Sequence, residues 1–163
     1  MNESRTGRRR FIGVVGALVV ALCFGLLAAR MVPHPVGAAR TYGKYASKAV
    51  TTAAGAESNV QTAILVSEAA SAGNAFGPFT SLVLSDAEDG VSGLQGTFDS
   101  IQPPDARADA LGDELDALLG GALGHLRTLR IAARRGELAD LAELAKPLEP
   151  YARQLASFQE RNS

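Results

Sequence analysis

Residues 84–105 read LSDAEDGVSGLQGTFDSIQPPD, and this stretch decides how the chain is divided into helices. Its apolar residues alternate at spacings of three and four, which is typical of one face of a helix. They are Leu84, Ala87, Val91, Leu94, Phe98 and Ile101. Two prolines then stop the helix, and Asp105 is suited to cap the next one. The stretch predicts one helix over 78–101 and another over 105–134.

Two further amphipathic segments flank this pair. An alanine-rich helix is predicted over 39–72 and a leucine-striped helix over 137–160. Gly136 is suited to the left-handed position that closes a helix. Pro147 should kink or split the last helix, since an internal proline costs about 3 kcal/mol. Four such segments with short connections predict an all-α fold, an antiparallel four-helix bundle over 39–163.

The pattern also predicts finer features of the helices. Leu82 is expected on the apolar side of the second helix and Leu118 on that of the third. Gly77 is expected to stop the first helix, with Pro78 in the first turn of the next. Three glycines form a bare strip that either permits close helix contact or weakens the second helix: Gly90, Gly93 and Gly96.

An apolar segment near the N-terminus predicts a membrane location. Residues 11–29 carry no charge, and 19 residues of helix rise about 28 Å, close to the ~30 Å hydrocarbon core. We therefore predict a cytoplasmic tail over 1–10, a transmembrane anchor or signal segment over 11–30, and a proline-containing stalk over 31–38. Three arginines predict a cytoplasmic N-terminus and an extracytoplasmic bundle: Arg8, Arg9 and Arg10.

The N-terminal part of the chain over 1–38, which we call the leader, is either retained or removed, and three interpretations follow. Its length favours a retained single-pass anchor, because signal-peptide apolar regions usually span about 7–15 residues. Small residues over 36–39 permit cleavage instead, which would give a secreted domain. The arginines followed by Phe11 and Ile12 also resemble the twin-arginine export motif. Cys23 is the single cysteine and lies in the apolar segment, so the bundle has no disulfide.

Charge is divided unevenly along the chain. After residue 39 there are 11 basic and 16 acidic residues, a net charge of −5. Nucleic-acid binding needs a clustered basic face, so an acidic domain argues against that partner. The basic residues that follow the stalk are expected to contact anionic lipid headgroups, at about 1 kcal/mol per charge: Arg40, Lys44 and Lys48.

Acidic residues gather in the second and third helices. Seven of them are candidates for a docking face that binds a basic partner: Asp86, Glu88, Asp89, Asp99, Asp109, Asp113 and Asp116. The simpler interpretation is a solvated acidic surface, and a loose divalent-cation surface is the third. The expected partners are the membrane and either another envelope protein or a second copy of this chain.

Catalytic motifs do not stand out in the sequence. A nucleophile elbow, a phosphate-binding glycine loop and an HExxH pair are missing. A di-iron bundle needs Glu-x-x-His pairs, and Ala122 stands three residues before His125. His125 is expected at the edge of the apolar stripe, with a ligand or pH-responsive role as the alternative. The sequence predicts a non-enzymatic interaction or scaffold module without a cofactor; the alternative is a bundle that binds a small ligand or cation.

Two segments carry a resemblance. Phe98–Asp105 and Leu129–Glu137 look like parts of uncharacterised membrane-anchored or secreted all-helical proteins of high-GC actinobacteria. The resemblance implies the same fold class and location and brings no activity. More loosely, one span followed by a four-helix bundle is similar to chemoreceptor sensor domains. The chain departs from these in its ten-residue N-terminal tail and in having no second apolar span, so no cytoplasmic output domain is expected.

Overall fold

The computed structural model describes residue 39 and residues 41–163. This part of the chain holds five α-helices and one short 3-10 turn, and no strand. The helices are α1 (Tyr42–Ser71), α2 (Gly77–Asp99), α3 (Ala106–Arg134), α4 (Leu141–Ala145) and α5 (Leu148–Asn162), with the 3-10 turn at Leu138–Asp140. The predicted all-α fold is confirmed for these residues.

The predictions for the leader fall elsewhere in the chain. The membrane segment over 11–30, its topology arginines Arg8, Arg9 and Arg10, and the expected lipid contact Arg40 lie outside the described residues. Among the helices that are described, none has the length and apolar character needed to cross a membrane.

The helix ends follow local chemistry. The Asp105 carboxylate accepts a hydrogen bond from the Ala108 amide at 2.9 Å, so it caps α3 as predicted. Gly136 has φ +79°, the left-handed conformation expected after that helix. The prediction for Gly77 was wrong, because Gly73 with φ +75° ends α1 and Gly77 is the first residue of α2. Gly73 takes this role since glycine adopts positive φ without steric cost.

The four long segments form an antiparallel bundle. Where two neighbouring helices are in contact, the residue numbers increase along one helix and decrease along the other. The pairs that show this are Tyr45–Phe98 and Asn59–Gly90 for α1 with α2, Gln95–Asp116 and Glu88–Arg130 for α2 with α3, and Glu114–Arg161 and Gly121–Tyr151 for α3 with α5. This is the up-down-up-down order that short connections require.

Helix α1 is the centre of the bundle and packs against all four other helices. Its inward face consists largely of alanines that are completely buried: Ala49, Ala53, Ala56 and Ala63. Small side chains allow neighbouring backbones to approach, and they explain how one helix contacts so many others. At Gly55 a Cβ atom would lie 2.9 Å from a Leu94 methyl group, so a larger residue there would require the Leu94 side chain to shift.

The last segment is split at Pro147, as predicted. Helix α4 ends at Ala145 and α5 begins at Leu148, because a proline cannot donate the helical hydrogen bond. Ser71 fastens the start of this segment to the end of α1. Its hydroxyl donates to the Leu138 carbonyl at 3.0 Å and accepts from the Ala142 amide at 2.8 Å. The hydroxyl thereby satisfies backbone groups that the short helix leaves free.

The prediction for Leu82 was wrong, whereas Leu118 packs against the core as predicted but is only half-buried. Leu82 is 60% exposed, because two residues of helix turn it about 200° away from Leu84. In α3, Leu119 is completely buried while Leu118 is half-buried. Both leucines lie close to the stripe, and the direction of the neighbouring helices decides between them. The predicted glycine strip contacts α1 only at Gly90, where the Asn59 side chain lies above it.

Candidate docking site

The seven acidic residues of the predicted docking face divide into two clusters. Asp86, Glu88 and Asp89 lie in the first half of α2, whereas Asp99 is its last residue. Thirteen residues of helix separate Asp86 from Asp99, which corresponds to about 20 Å. Antiparallel packing of α2 and α3 then places Asp99 beside the first turns of α3, which carry the other three: Asp109, Asp113 and Asp116.

Glu88 forms ion pairs with two arginines of the neighbouring helix α3. Arg130 donates from Nε to one carboxylate oxygen of Glu88, and Arg127 donates to the other at 3.4 Å. Burial by itself raises the pKa of Glu88, but hydrogen bonds and charge from the two arginines outweigh it and hold that pKa below its usual value of 4.5. Glu88 therefore connects α2 to α3 and is not a free docking residue.

Replacing Glu88 with glutamine should lower the free energy of unfolding at neutral pH by about 1 kcal/mol, because both arginines lose their counter-charge. The folded-state pKa is lowered, so the stabilisation is complete above 4.5 and is lost as the pH falls through the folded pKa. The difference between wild type and variant should therefore shrink as the pH is lowered below 4.5. Urea unfolding of the full chain in neutral micelles, followed by circular dichroism, measures it.

Asp89→Asn is the matched control, since Asp89 is exposed and forms no ion pair within residues 41–163. We expect it to change the free energy of unfolding by less than about 0.5 kcal/mol. Equal losses in the two variants, or a Glu88→Gln loss that persists unchanged at low pH, would contradict the assignment.

The second cluster lines a groove that we call the acidic groove. It lies where α1 begins, α2 ends and α3 begins. Its lining residues are Tyr45, Phe98, Asp99, Ile101, Pro103, Asp109, Gly112, Asp113 and Asp116. Apolar side chains form the floor, and four carboxylates stand around it. Within residues 41–163, none of these four forms an ion pair with a basic side chain.

Tyr45 lies at the bottom of the acidic groove. Its side chain is 4% exposed, and its ring packs against Phe98 with 5.1 Å between centroids. The hydroxyl makes no hydrogen bond to any described residue, yet no fully buried polar atom of this region lacks a partner. The hydroxyl oxygen is therefore open to the groove. A Cβ atom on Gly112 would lie 2.5 Å from it, so that glycine gives the hydroxyl its space.

Electrostatics in the groove reflect the crowding of negative charge. Burial raises the pKa of Tyr45, and the carboxylates of Asp109, Asp99 and Asp113 raise it further. Burial also raises the pKa of Asp99, with a further contribution from Asp116. Both shifts favour the neutral forms, because burial penalises a charged group and the carboxylates already present repel an added negative charge. A bound positive charge would relieve this repulsion.

The basic residues near this end lie outside the groove lining. Arg107 stacks over the Tyr42 ring, with its guanidinium carbon 3.8 Å from the ring centroid. Lys44 is exposed and Lys48 half-buried, both in the first two turns of α1. Their predicted contact with lipid headgroups stays a prediction. Asp116 accepts a hydrogen bond from the Gln95 side-chain amide, which holds α2 and α3 together at the groove edge.

Metal binding and His125 are the other chemical features that the sequence raised. Within residue 39 and residues 41–163, no three His, Cys, Asp or Glu side chains are placed to hold a metal ion. His125 is half-buried at the edge of the core, as expected, and its ring lies 5.6 Å from that of Tyr151. The sequence predicted the helix that carries Tyr45 but gave no sign of a role for its hydroxyl, since nothing in the spacing places Gly112 opposite it.

The acidic groove and the Glu88 ion pairs are the features from which a function can be argued. Comparison with known proteins found no matching family model, no matching curated protein and no matching solved structure.

Proposed function

We propose that this chain is a non-enzymatic, membrane-anchored extracytoplasmic module whose acidic groove binds a lysine- or arginine-rich segment of another envelope protein. The observation that carries the proposal is that four carboxylates, those of Asp99, Asp109, Asp113 and Asp116, line one groove together with Tyr45 and without a basic side chain. The same groove would serve a secreted bundle if the leader is cleaved. In either case the partner is recognised by its positive charge.

The groove lining suits lysine and arginine side chains in particular. These side chains combine an apolar stem with a charged head, so the stem can lie on an apolar floor while the head reaches a carboxylate. Phe98, Ile101 and Pro103 supply that floor. The Tyr45 hydroxyl can accept a hydrogen bond from an ammonium or guanidinium group. A bare metal ion would gain nothing from the apolar floor.

The test is binding of a fluorescein-labelled peptide to the full chain in nanodiscs of neutral phosphatidylcholine. The peptide alternates lysine with leucine, and fluorescence anisotropy reports binding. The double variant Asp109→Asn/Asp113→Asn should weaken binding about tenfold, because two charged contacts are lost. The affinity of the wild type should also fall as salt is raised, since the pairs are solvent-exposed.

The matched control removes the same charge from the middle of α2. Asp86 and Asp89 lie about 20 and about 15 Å along the helix from Asp99, beyond the screening length of ~10 Å, so Asp86→Asn/Asp89→Asn should leave the affinity unchanged. If both double variants weaken binding equally, the peptide responds to net charge and the groove is not the site. Equal binding of a peptide with glutamate in place of lysine would also refute the proposal.

A further inference from the structure

A second groove lies between α1 and α2 on the other side of Phe98. Its lining residues are Ser47, Lys48, Thr51, Thr52, Leu94, Thr97, Phe98 and Ile101. Hydroxyl groups line it on both helices, apolar side chains form its floor, and Lys48 is the charged residue in its lining. We call it the hydroxyl groove. It shares Phe98 and Ile101 with the acidic groove, but no carboxylate lines it.

Thr52 differs from the other threonines of this groove. A threonine inside a helix usually donates its hydroxyl to the carbonyl four residues earlier. Thr51 does so to Ser47 at 2.9 Å, and Thr97 does so to Gly93 at 2.7 Å. Thr52 is 8% exposed, and its hydroxyl makes no such bond within residues 41–163.

The Thr52 hydroxyl oxygen is not fully enclosed by protein atoms. No fully buried polar atom in the described part of the chain lacks a hydrogen-bond partner. The Thr52 oxygen therefore keeps contact with open space, and the space that Thr52 lines is the hydroxyl groove. A nearly buried hydroxyl with free hydrogen-bonding capacity is suited to bind a polar group placed in that groove.

Lys48 adds a charge one helical turn before Thr52. The two residues are separated by four positions, which places them on the same face of α1. Lys48 is half-buried and forms no ion pair with a described carboxylate. An ammonium group next to a free hydroxyl can bind a carboxylate, which accepts hydrogen bonds from both.

We infer that the hydroxyl groove binds a small organic carboxylate with an apolar body. The carboxylate accepts hydrogen bonds from the Thr52 hydroxyl and the Lys48 ammonium group. The apolar body lies on Leu94 and on the edges of Phe98 and Ile101. This assignment uses different residues from the proposed basic-peptide site and does not depend on it. The two grooves would thus select ligands of opposite charge on either side of Phe98.

The test uses the full chain in nanodiscs of neutral phosphatidylcholine and 3-phenylpropionate as the probe. Saturation-transfer NMR titration measures its affinity, and empty nanodiscs give the background from lipid. The uncharged analogue 3-phenylpropionamide should bind about tenfold more weakly, because it loses the charge-assisted bond. Lys48→Gln should weaken binding of the carboxylate by a similar factor and weaken binding of the amide much less, because the amide oxygen carries no full negative charge.

Thr52→Val removes the hydroxyl while keeping the shape of the side chain, and it should weaken carboxylate binding about fivefold. Thr51→Val is the matched control, because its hydroxyl is already bonded to Ser47; this variant should bind like the wild type. Circular dichroism confirms that each variant is folded. Equal affinity for the carboxylate and the amide, or wild-type affinity in both Lys48→Gln and Thr52→Val, would overturn the assignment. Binding of the Lys–Leu peptide at the acidic groove is unaffected by either outcome.

Discussion

Replacing Leu119 with alanine should lower the free energy of unfolding by about 3 kcal/mol. The Leu119 side chain is completely buried within the core, next in the stripe of α3 after Leu115. Truncation removes its apolar contacts and leaves a cavity that the surrounding helices cannot fully close. Urea unfolding of the full chain in neutral micelles, followed by circular dichroism at 222 nm, gives the difference.

The neighbouring residue provides the control. Leu118 is half-buried and packs only against the edge of the core, so Leu118→Ala should cost about 1 kcal/mol. The two substitutions are chemically identical and one position apart. If Leu118→Ala lowers the free energy of unfolding more than Leu119→Ala does, then α3 is rotated so that Leu118 and not Leu119 faces the core. The heptad spacing of the sequence would then describe the core face of α3 correctly.

Replacing Phe158 with alanine should be more damaging still, at about 4 kcal/mol. Phe158 is the largest of the completely buried side chains and lies in the penultimate turn of α5. The buried face of this helix consists of Leu148, Ala152, Leu155 and Phe158, so Phe158 is its last buried residue. Loss of its largest apolar contact should therefore release the end of α5 from the bundle before the rest unfolds.

Phe76→Ala is the matched substitution at the surface. Phe76 is 69% exposed at the start of α2, and its removal should change the free energy of unfolding by less than about 0.5 kcal/mol. Amide hydrogen exchange adds a local measurement, with faster exchange expected in α5 of the Phe158→Ala variant. Uniform exchange throughout the bundle would show that α5 unfolds only together with the other helices.

The two grooves suggest how a small bundle can bind other molecules at its surface. Phe98 and Ile101 are almost completely buried, and they separate a groove lined by carboxylates from one lined by hydroxyls and Lys48. Each groove contains one nearly buried hydroxyl whose hydrogen-bonding capacity is unused by the described residues. Tyr45 supplies it on one side and Thr52 on the other. Both proposals rest on this feature and not on surface charge alone.

Much of the fold could be predicted from the sequence because its signals are local. Apolar periodicity indicated the helices, and the prolines at 103 and 104 with Asp105 fixed the break between α2 and α3. Gly136 and Pro147 gave the end of α3 and the split before α5. Such signals depend on backbone conformation within a few residues, so no knowledge of distant contacts was needed.

The candidate sites could be predicted only in part. The sequence indicated that acidic residues cluster, and it treated seven of them as one face. It could not separate Glu88, whose arginine partners lie 39 and 42 residues away along the chain, from the groove carboxylates. Nor could it distinguish Thr52 from Thr51, because the burial of Thr52 and the exposure of Thr51 depend on how α1 packs against its neighbours.

By itself, the sequence determined the all-α character of the described chain, the order of its helices and most of their ends, the stop at Gly73 excepted. The tertiary structure alone decided that Leu119 and not Leu118 enters the core, that Ser71 fastens the last segment to α1, and that the Tyr45 hydroxyl lies opposite Gly112. The reason is physical. Helix formation depends on neighbouring residues, whereas the rotation of each helix and the meeting of side chains depend on how all the helices fill one core.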